Sequence, residues 1–296
     1  MEKGVKALAS LLLLAGCGGG EDVASCAALA KRAPEQALEH CNRAIESRLV
    51  WSREKAQVRL ERGQLYAARG NWEGAIADFT RALDSGRLEQ PGELAALLGR
   101  GRARIRRDEI AAGIADLDQV LRLDALQADA YVLRALAWRK QGAYERALAD
   151  VEAALKVHAK HAGALTQRAA VFALTRQGER ALADVSEALR LDPKQQEARN
   201  IRGVIHYLVG QWDRALEDLN EAVKLDVRDA GARHNRAMVL TAKRDFDAAL
   251  ADLDAALKLD PKAAAAYRLR GWIREQRGQA DAARADYEAA AKLKPQ

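Results

Sequence analysis

The sequence predicts an all-α protein built as a linear array of stacked helical hairpins. Three observations carry that expectation. The stretch RAMVLTAKRDFDAALADLDAALKLDP, residues 236–261, recurs in near-copies, with units beginning at Ala56, Leu94, Ala128, Ala162, Gln196, Ala230 and Ala264. From Leu94 onward the step is 34 residues every time, and a fixed period of this size marks a repeat array. Small residues hold three fixed places in the unit: position 8 (Gly63, Gly101, Ala135, Ala169, Gly203, Ala237, Gly271), position 20 (Ala75, Gly113, Ala147, Ala181, Ala215, Ala249, Ala283) and position 27, which is Ala in every unit but for Val120. Positions 20 and 27 lie two helical turns apart on one face, so two antiparallel helices can approach closely there. Composition agrees: 49% hydrophobic but only 5% aromatic, with five prolines, suits Ala- and Leu-rich helices rather than strands.

Residues 1–17, MEKGVKALASLLLLAGC, read as an export signal. Lys3 and Lys6 give a positive start, and the apolar run over residues 7–15 is too short to span a bilayer as a helix. Leu14-Ala15-Gly16-Cys17 resembles the lipobox of bacterial lipoproteins, which implies cleavage after residue 16 and acylation of Cys17, with residues 17–20 as a lipidated, Gly-rich tether. An ordinary secretory signal with an incidental Cys is the plainer reading. Gly18 is not the Asp that retains some lipoproteins in the inner membrane, which leans the expectation toward a periplasm-facing anchor in the outer membrane.

Residues 21–55 form a shortened first hairpin and its linker. Pro34 stands where a second helix can begin, and Ala37, Leu38, Cys41, Ala44 and Ile45 match positions 20, 21, 24, 27 and 28 of the unit. Cys26 and Cys41 are an even pair in an oxidising compartment, which favours a disulfide over two buried thiols. A bridge would pin a cap too small to hold itself.

Seven units follow, at residues 56–89, 94–127, 128–161, 162–195, 196–229, 230–263 and 264–296, with irregular links expected at residues 49–53 and 85–93. Position 15 is Gly70, Asp108, Gly142, Arg176, Gly210, Arg244 or Gly278 and separates the two helices of each unit. Leu-Asp-Pro or a variant closes most units, Pro stopping a helix that has run out. In the last unit Arg284 and Ala291 replace the Leu, Ile or Val of positions 21 and 28, as a polar terminal face of an array requires.

Small residues at 8, 20 and 27, the turn at 15 and the closing Pro resemble the tetratricopeptide repeat. The family's large position 4 is eroded (Arg59, Leu97, Tyr131, Leu165, Arg199, Arg233, Tyr267), and its aromatic at position 11 survives only as Tyr66, Trp138 and Phe172. The resemblance implies a right-handed α-solenoid of seven hairpins plus the degenerate N-terminal cap. It also implies a concave face, lined by the first helices, that holds peptides or partner proteins.

Two charges recur in step with the repeat. Position 7 is Arg62, Arg100, Arg134, Arg168, Arg202, Arg236 and Arg270; position 23 is Asp78, Asp116, Asp150, Asp184, Asp218, Asp252 and Asp286. Opposite charges in register read as a structural ion-pair ladder between helices. That assignment absorbs much of a formal charge of +6 that would otherwise raise the question of nucleic acid.

In the family, positions 5 and 9 of the first helix point into the groove. The candidate groove residues are Leu98, Arg102, Val132, Leu136, Asn200, Val204, His234, Met238, Arg268 and Trp272, and an exposed Trp beside Arg and His suits an interaction anchor. Packing of Met238 and Trp272 between helices is the alternative. Position 5 never holds Lys and position 9 never holds Asn, so the clamp that some members use for a C-terminal carboxylate is not expected.

For catalysis the chain offers little. His40, His158, His161, His206 and His234 are scattered, and there is no HExxH, P-loop, GxSxG or clustered Cys/His set, so neither metal, cofactor nor enzyme activity is expected. The favoured function is a non-enzymatic, lipid-anchored envelope scaffold that binds peptides or proteins to assemble a complex, of the kind that pilots secretin assembly or recruits cell-wall enzymes. The alternative is a helical-repeat nucleic-acid-binding protein, against which the export signal argues; no nucleic-acid partner is expected.

Overall fold

A computed structural model describes residues 19–293. The export signal and Cys17 lie outside the described residues, among which there are sixteen α-helices and no strand. The chain divides at residue 157 into two compact units. The first holds α1 (Gly19–Leu29), α2 (Pro34–Glu46), α3 (Ser52–Ala68), α4 (Trp72–Asp84), α5 (Gln90–Arg106), α6 (Ile110–Leu123), α7 (Ala128–Lys140) and α8 (Tyr144–Val157). The second holds α9 (Ala162–Leu174), α10 (Gly178–Leu191), α11 (Gln196–Leu208), α12 (Trp212–Leu225), α13 (Ala230–Ala242), α14 (Phe246–Leu259), α15 (Ala264–Gln276) and α16 (Ala280–Lys292). Consecutive pairs form hairpins, and within each unit the hairpins stack so that first helices also touch first helices. The unbroken 34-residue step gives no sign of the division.

Close approach inside each hairpin follows from positions 8 and 20, which are buried throughout. A Cβ on Gly203 would lie 2.7 Å from Cγ of Leu219 and 3.2 Å from the carbonyl oxygen of Ala215, so α11 and α12 meet almost backbone to backbone. Larger side chains then fill the layer between hairpins: Leu97, Ile105, Leu117, Val120 and Leu133 in the first unit, and Leu253, Leu257 and Ile273 in the second.

Turn chemistry is the same in the seven repeat units. All seven position-15 residues adopt left-handed backbone, from φ 60° at Arg176 to 76° at Gly210. In each, the N–H of the following residue donates to the carbonyl of position 11, as in Gln211 to His206 at 2.9 Å, which closes the first helix with a Schellman cap. At the other end Asp rather than Pro makes the turn. Asp124, Asp192, Asp226 and Asp260 each accept from the backbone N–H two residues on, at 2.9–3.0 Å, including where no Pro follows.

The links at residues 49–53 and 85–93 are less irregular than expected. α3 and α5 are 17 residues long where α7, α9, α11, α13 and α15 have 13, so each gains one N-terminal turn. Local signals explain it: Glu54 returns its carboxylate to the N–H of Trp51 at 3.0 Å, and Pro91 stands in the first turn of α5.

In the cap, Cys26 on α1 and Cys41 on α2 are joined by a disulfide across 4.9 Å between their Cα atoms, and both are fully buried with Ala37 and Ala44 against Val58 and Leu65 of α3. Asp22 accepts from Arg43 at 3.0 Å and lies 2.7 Å from Nδ1 of His40. Burial opposes ionisation of Asp22, but the hydrogen bonds to His40 and Arg43 outweigh it and hold the carboxyl below its usual range.

Arg176 carries a Cβ in a conformation that costs a non-glycine residue about 1 kcal/mol. Arg176→Gly is therefore expected to stabilise the second unit by up to about 1 kcal/mol, read as a higher urea midpoint at unchanged slope.

Candidate interaction surfaces

Every position-7 Arg meets the position-23 Asp of its own hairpin with two parallel hydrogen bonds. Arg62 donates from Nε and Nη2 to Asp78 at 2.6 and 2.8 Å, and Arg236 to Asp252 at 2.6 and 2.6 Å. The same fork joins Arg100 to Asp116, Arg134 to Asp150, Arg168 to Asp184, Arg202 to Asp218 and Arg270 to Asp286. The third nitrogen, Nη1, reaches position 25 of the preceding hairpin: Thr80 from Arg100, Asp118 from Arg134, Asn220 from Arg236 and Asp254 from Arg270. In the cap, Asn42 accepts from Arg62 in the same way. Hydrogen bonds to the aspartates raise the guanidinium pKa above its ordinary value at Arg62, Arg134, Arg202, Arg236 and Arg270. All the position-23 aspartates except Asp184 are buried, so each of those negative charges is desolvated and answered by a planar partner.

The eroded positions 4 and 11 join the same system. Where a Tyr remains, the ladder Arg stands over it: Arg62 over Tyr66, Arg134 over Tyr131 and Arg270 over Tyr267, 5.4–5.7 Å from the ring centres. Four of the five Arg residues that replace the large residue become a second cation on the buried Asp, Arg59 being the exception. Arg104 lies 2.8 Å from Asp116, Arg274 2.8 Å from Asp286, Arg199 3.5 Å from Asp218 and Arg233 3.6 Å from Asp252. His206, also at position 11, places Nε2 4.0 Å from Asp218. Arg at an aromatic position, in step with the Asp, was the signal for this in the sequence.

Open clefts lie along the first helices. In the second unit a cleft of about 460 Å³ is lined by Tyr207, Met238, Arg244, Phe246, Leu269 and Trp272, with Trp272 42% exposed and its ring edge-to-face on Phe246 at 6.2 Å. In the first unit a cleft of about 490 Å³ holds Leu94, Leu98, Val120 and Leu123. Beside it, the extra turns of α3 and α5 wall a cleft of about 830 Å³ with Trp51, Leu60, Leu88 and Pro91, and Arg53 pairs with Glu89 across it. No group of three or more His, Cys, Asp or Glu suited to a metal is found among the described residues. No helix among them is long and apolar enough to cross a membrane.

Family models described as tetratricopeptide repeat match residues 23–90, 98–164 and 172–233, and again 236–296. The chain belongs to the tetratricopeptide repeat family. Solved structures agree on the fold. A tetratricopeptide repeat protein from Parabacteroides merdae is 20% identical with a TM-score of 0.54, over 82% of this chain and 94% of that one. The thermophilic protein TTC0263 of Thermus thermophilus is 23% identical at 0.54, over 63% and 99%. Pseudomonas aeruginosa pilF is 18% identical at 0.52, over 68% and 92%. No curated protein sequence matches the chain. Tetratricopeptide repeats are an interaction fold rather than a catalytic one, and the chain is a protein-interaction scaffold of that class.

The expected groove residues are distributed as follows. Met238 and Trp272 share one cleft; Tyr207, Phe246 and Leu269, which the sequence did not single out, complete it. Asn200 accepts from Asn235 at 2.9 Å, and Val204 is half-buried. His234 is held by Asn235 and the backbone of Ala265 beside exposed Arg268. Leu98 lines its own cleft in the first unit, Arg102 is exposed, Val132 is half-buried, and Leu136 packs against the core there. Four of the ten therefore lie in the first unit and six in the second.

Removing one partner of a buried pair leaves the other charge uncompensated. Arg62→Met is expected to cost about 3 kcal/mol, because Asp78 has no second cation among the described residues, whereas Arg100→Met costs less, because Arg104 still holds Asp116. Urea denaturation of the two variants checks the order. Burial lowers the pKa of His234, so its neutral form contributes stability above the unfolded value of about 6.5 that is lost as pH falls through the folded value. The difference in stability between wild type and His234→Gln is expected to change over that window and to be flat above pH 7.

Proposed function

We propose that the chain is a lipid-anchored adaptor of a bacterial cell envelope, holding partner proteins on its first-helix surfaces to assemble a larger complex. The observation that carries the binding reading is the Met238–Trp272 cleft. It is an open, largely apolar recess with a half-exposed Trp and a cation at its wall, the composition of an interaction anchor. Placement in the envelope is supported by the sequence alone: the positive start, the short apolar run and Leu14-Ala15-Gly16-Cys17. The buried Cys26–Cys41 disulfide suits an oxidising compartment. Within that reading, assistance to a secretin ring or recruitment of cell-wall enzymes are the specific roles proposed, with the outer membrane favoured.

In a bacterial host supplied with labelled palmitate, the wild-type chain is expected to incorporate label and to sediment with membranes, and Cys17→Ala to lose both. A Cys17→Ala chain that still carries label would refute the anchor. Independently, Met238→Ala with Trp272→Ala is expected to reduce photo-crosslinking of envelope proteins to the second unit without altering the helical circular dichroism signal. Undiminished crosslinking would refute the cleft.

A further inference from the structure

A second salt-bridge register runs along the turns of the second unit and is broken at one place. Lys243, at position 14, pairs with Asp213 at position 18 of the preceding hairpin, and Arg277 pairs with Asp247 in the same register at 2.5 Å. One hairpin earlier, position 14 is Val209 and the corresponding acid is Glu179, so no ion pair forms. Val209 is 61% exposed, its neighbour Leu208 67% and Trp212 41%. This is a cluster of large apolar side chains at a hairpin turn, which a folded chain ordinarily leaves to charged residues. Tyr207, next in sequence, lines the Met238–Trp272 cleft, so the turn and the cleft form one continuous surface.

Charge in the cleft wall is one-sided: Arg244 lines it and no carboxylate does. Asp213 and Asp247 are spent on Lys243 and Arg277, Asp245 caps α14 through the N–H of Ala248, and Glu275 accepts from Tyr287. Glu179 and Asp281, the other two acids at position 18 in this unit, have no such bond among the described residues. Beside them are exposed Arg176 and Arg244, neither with a carboxylate partner among the described residues, Arg214, which donates to Gln211, and Arg268, one turn from Trp272 on α15. Arg244 lines the cleft itself.

We propose that this turn edge docks an acidic segment of a partner protein. Its large apolar side chains cover Leu208, Val209 and Trp212 and enter the cleft, and its carboxylates meet Arg244 and the neighbouring guanidinium groups. The inference rests on the adaptor reading and adds the chemistry of the partner. An apolar recess with a cation and no carboxylate in its wall selects a partner by sign as well as by shape. Single-stranded nucleic acid fits less well. Leu208, Val209 and Met238 offer no stacking platform, and one ring of the cleft, Trp272, is already engaged by Phe246.

The test uses the chain with its native disulfide and two fluorescein-labelled peptides with the same Leu and Phe positions, one with Glu and one with Lys at the remaining positions. By fluorescence anisotropy the Glu peptide is expected to bind at least about tenfold more tightly than the Lys peptide. Val209→Asp and Trp272→Ala are each expected to weaken it by about tenfold or more, and Arg244→Glu to narrow or reverse the preference. Circular dichroism of each variant guards against unfolding. Equal binding of both peptides, lost in Trp272→Ala, would overturn the acidic class and leave the adaptor reading standing. Binding of the Glu peptide that neither Val209→Asp nor Trp272→Ala alters, or no binding of either peptide, would overturn the docking edge. Displacement of the Glu peptide by an equal concentration of oligothymidylate would overturn it in favour of nucleic acid.

Discussion

A guanidinium presents its donors in one plane, and along this chain they are divided between two neighbours. Nε and Nη2 of Arg134 grip Asp150 in its own hairpin, while Nη1 reaches Asp118 in the hairpin before. One side chain therefore fixes both the register within a hairpin and the register between hairpins. Lysine could not do this, because an ammonium on a flexible stem has no fixed fork. The close helix contact at positions 8 and 20 makes the pair necessary as well as possible. With Gly203 nearly touching the backbone of Ala215, little space remains for water between the helices, so Asp218 is buried and must be answered by protein groups.

The same constraint accounts for the loss of the family's aromatics. A Tyr at position 4 or 11 offers its face to the ladder Arg, as Tyr131 does to Arg134. An Arg at position 11 brings a second cation to the Asp, as Arg104 and Arg274 do. Both solutions surround a buried carboxylate, and both keep a large flat group in the layer. What reads in the sequence as degeneration is an exchange between two ways of packing one ion pair. The excess of Arg over Asp that results contributes to the positive charge of the chain.

The period made the hairpins, their small-residue contacts, their left-handed turns and the spacing of the ladder legible, because each depends on residues at a fixed offset within one unit. Less legible were features that depend on which residues of different units face one another. Met238 and Trp272 could be placed on first helices from their positions, but Tyr207 and Phe246 come to the same cleft from other turns of the array. Likewise the extra turns of α3 and α5 lie where the repeat lapses, and an alignment on period alone treats residues 85–93 as a gap although Pro91 and the Glu54 cap mark helix starts. The division of the chain at residue 157 leaves no mark in the repeat at all.

The second tie between positions 14 and 18 is dispensable at any one turn, because exposed pairs of that kind contribute little, about 0 to 1 kcal/mol. Replacing one with Leu208 and Val209 therefore costs the array little in stability while exposing apolar surface that a purely structural repeat would not keep. Three of the seven turns carry a non-glycine residue in the left-handed region, and at Arg244 that residue also lines the cleft. A glycine there would relax the backbone but remove the one cation in the cleft wall, so the position holds strain at the place where charge is useful.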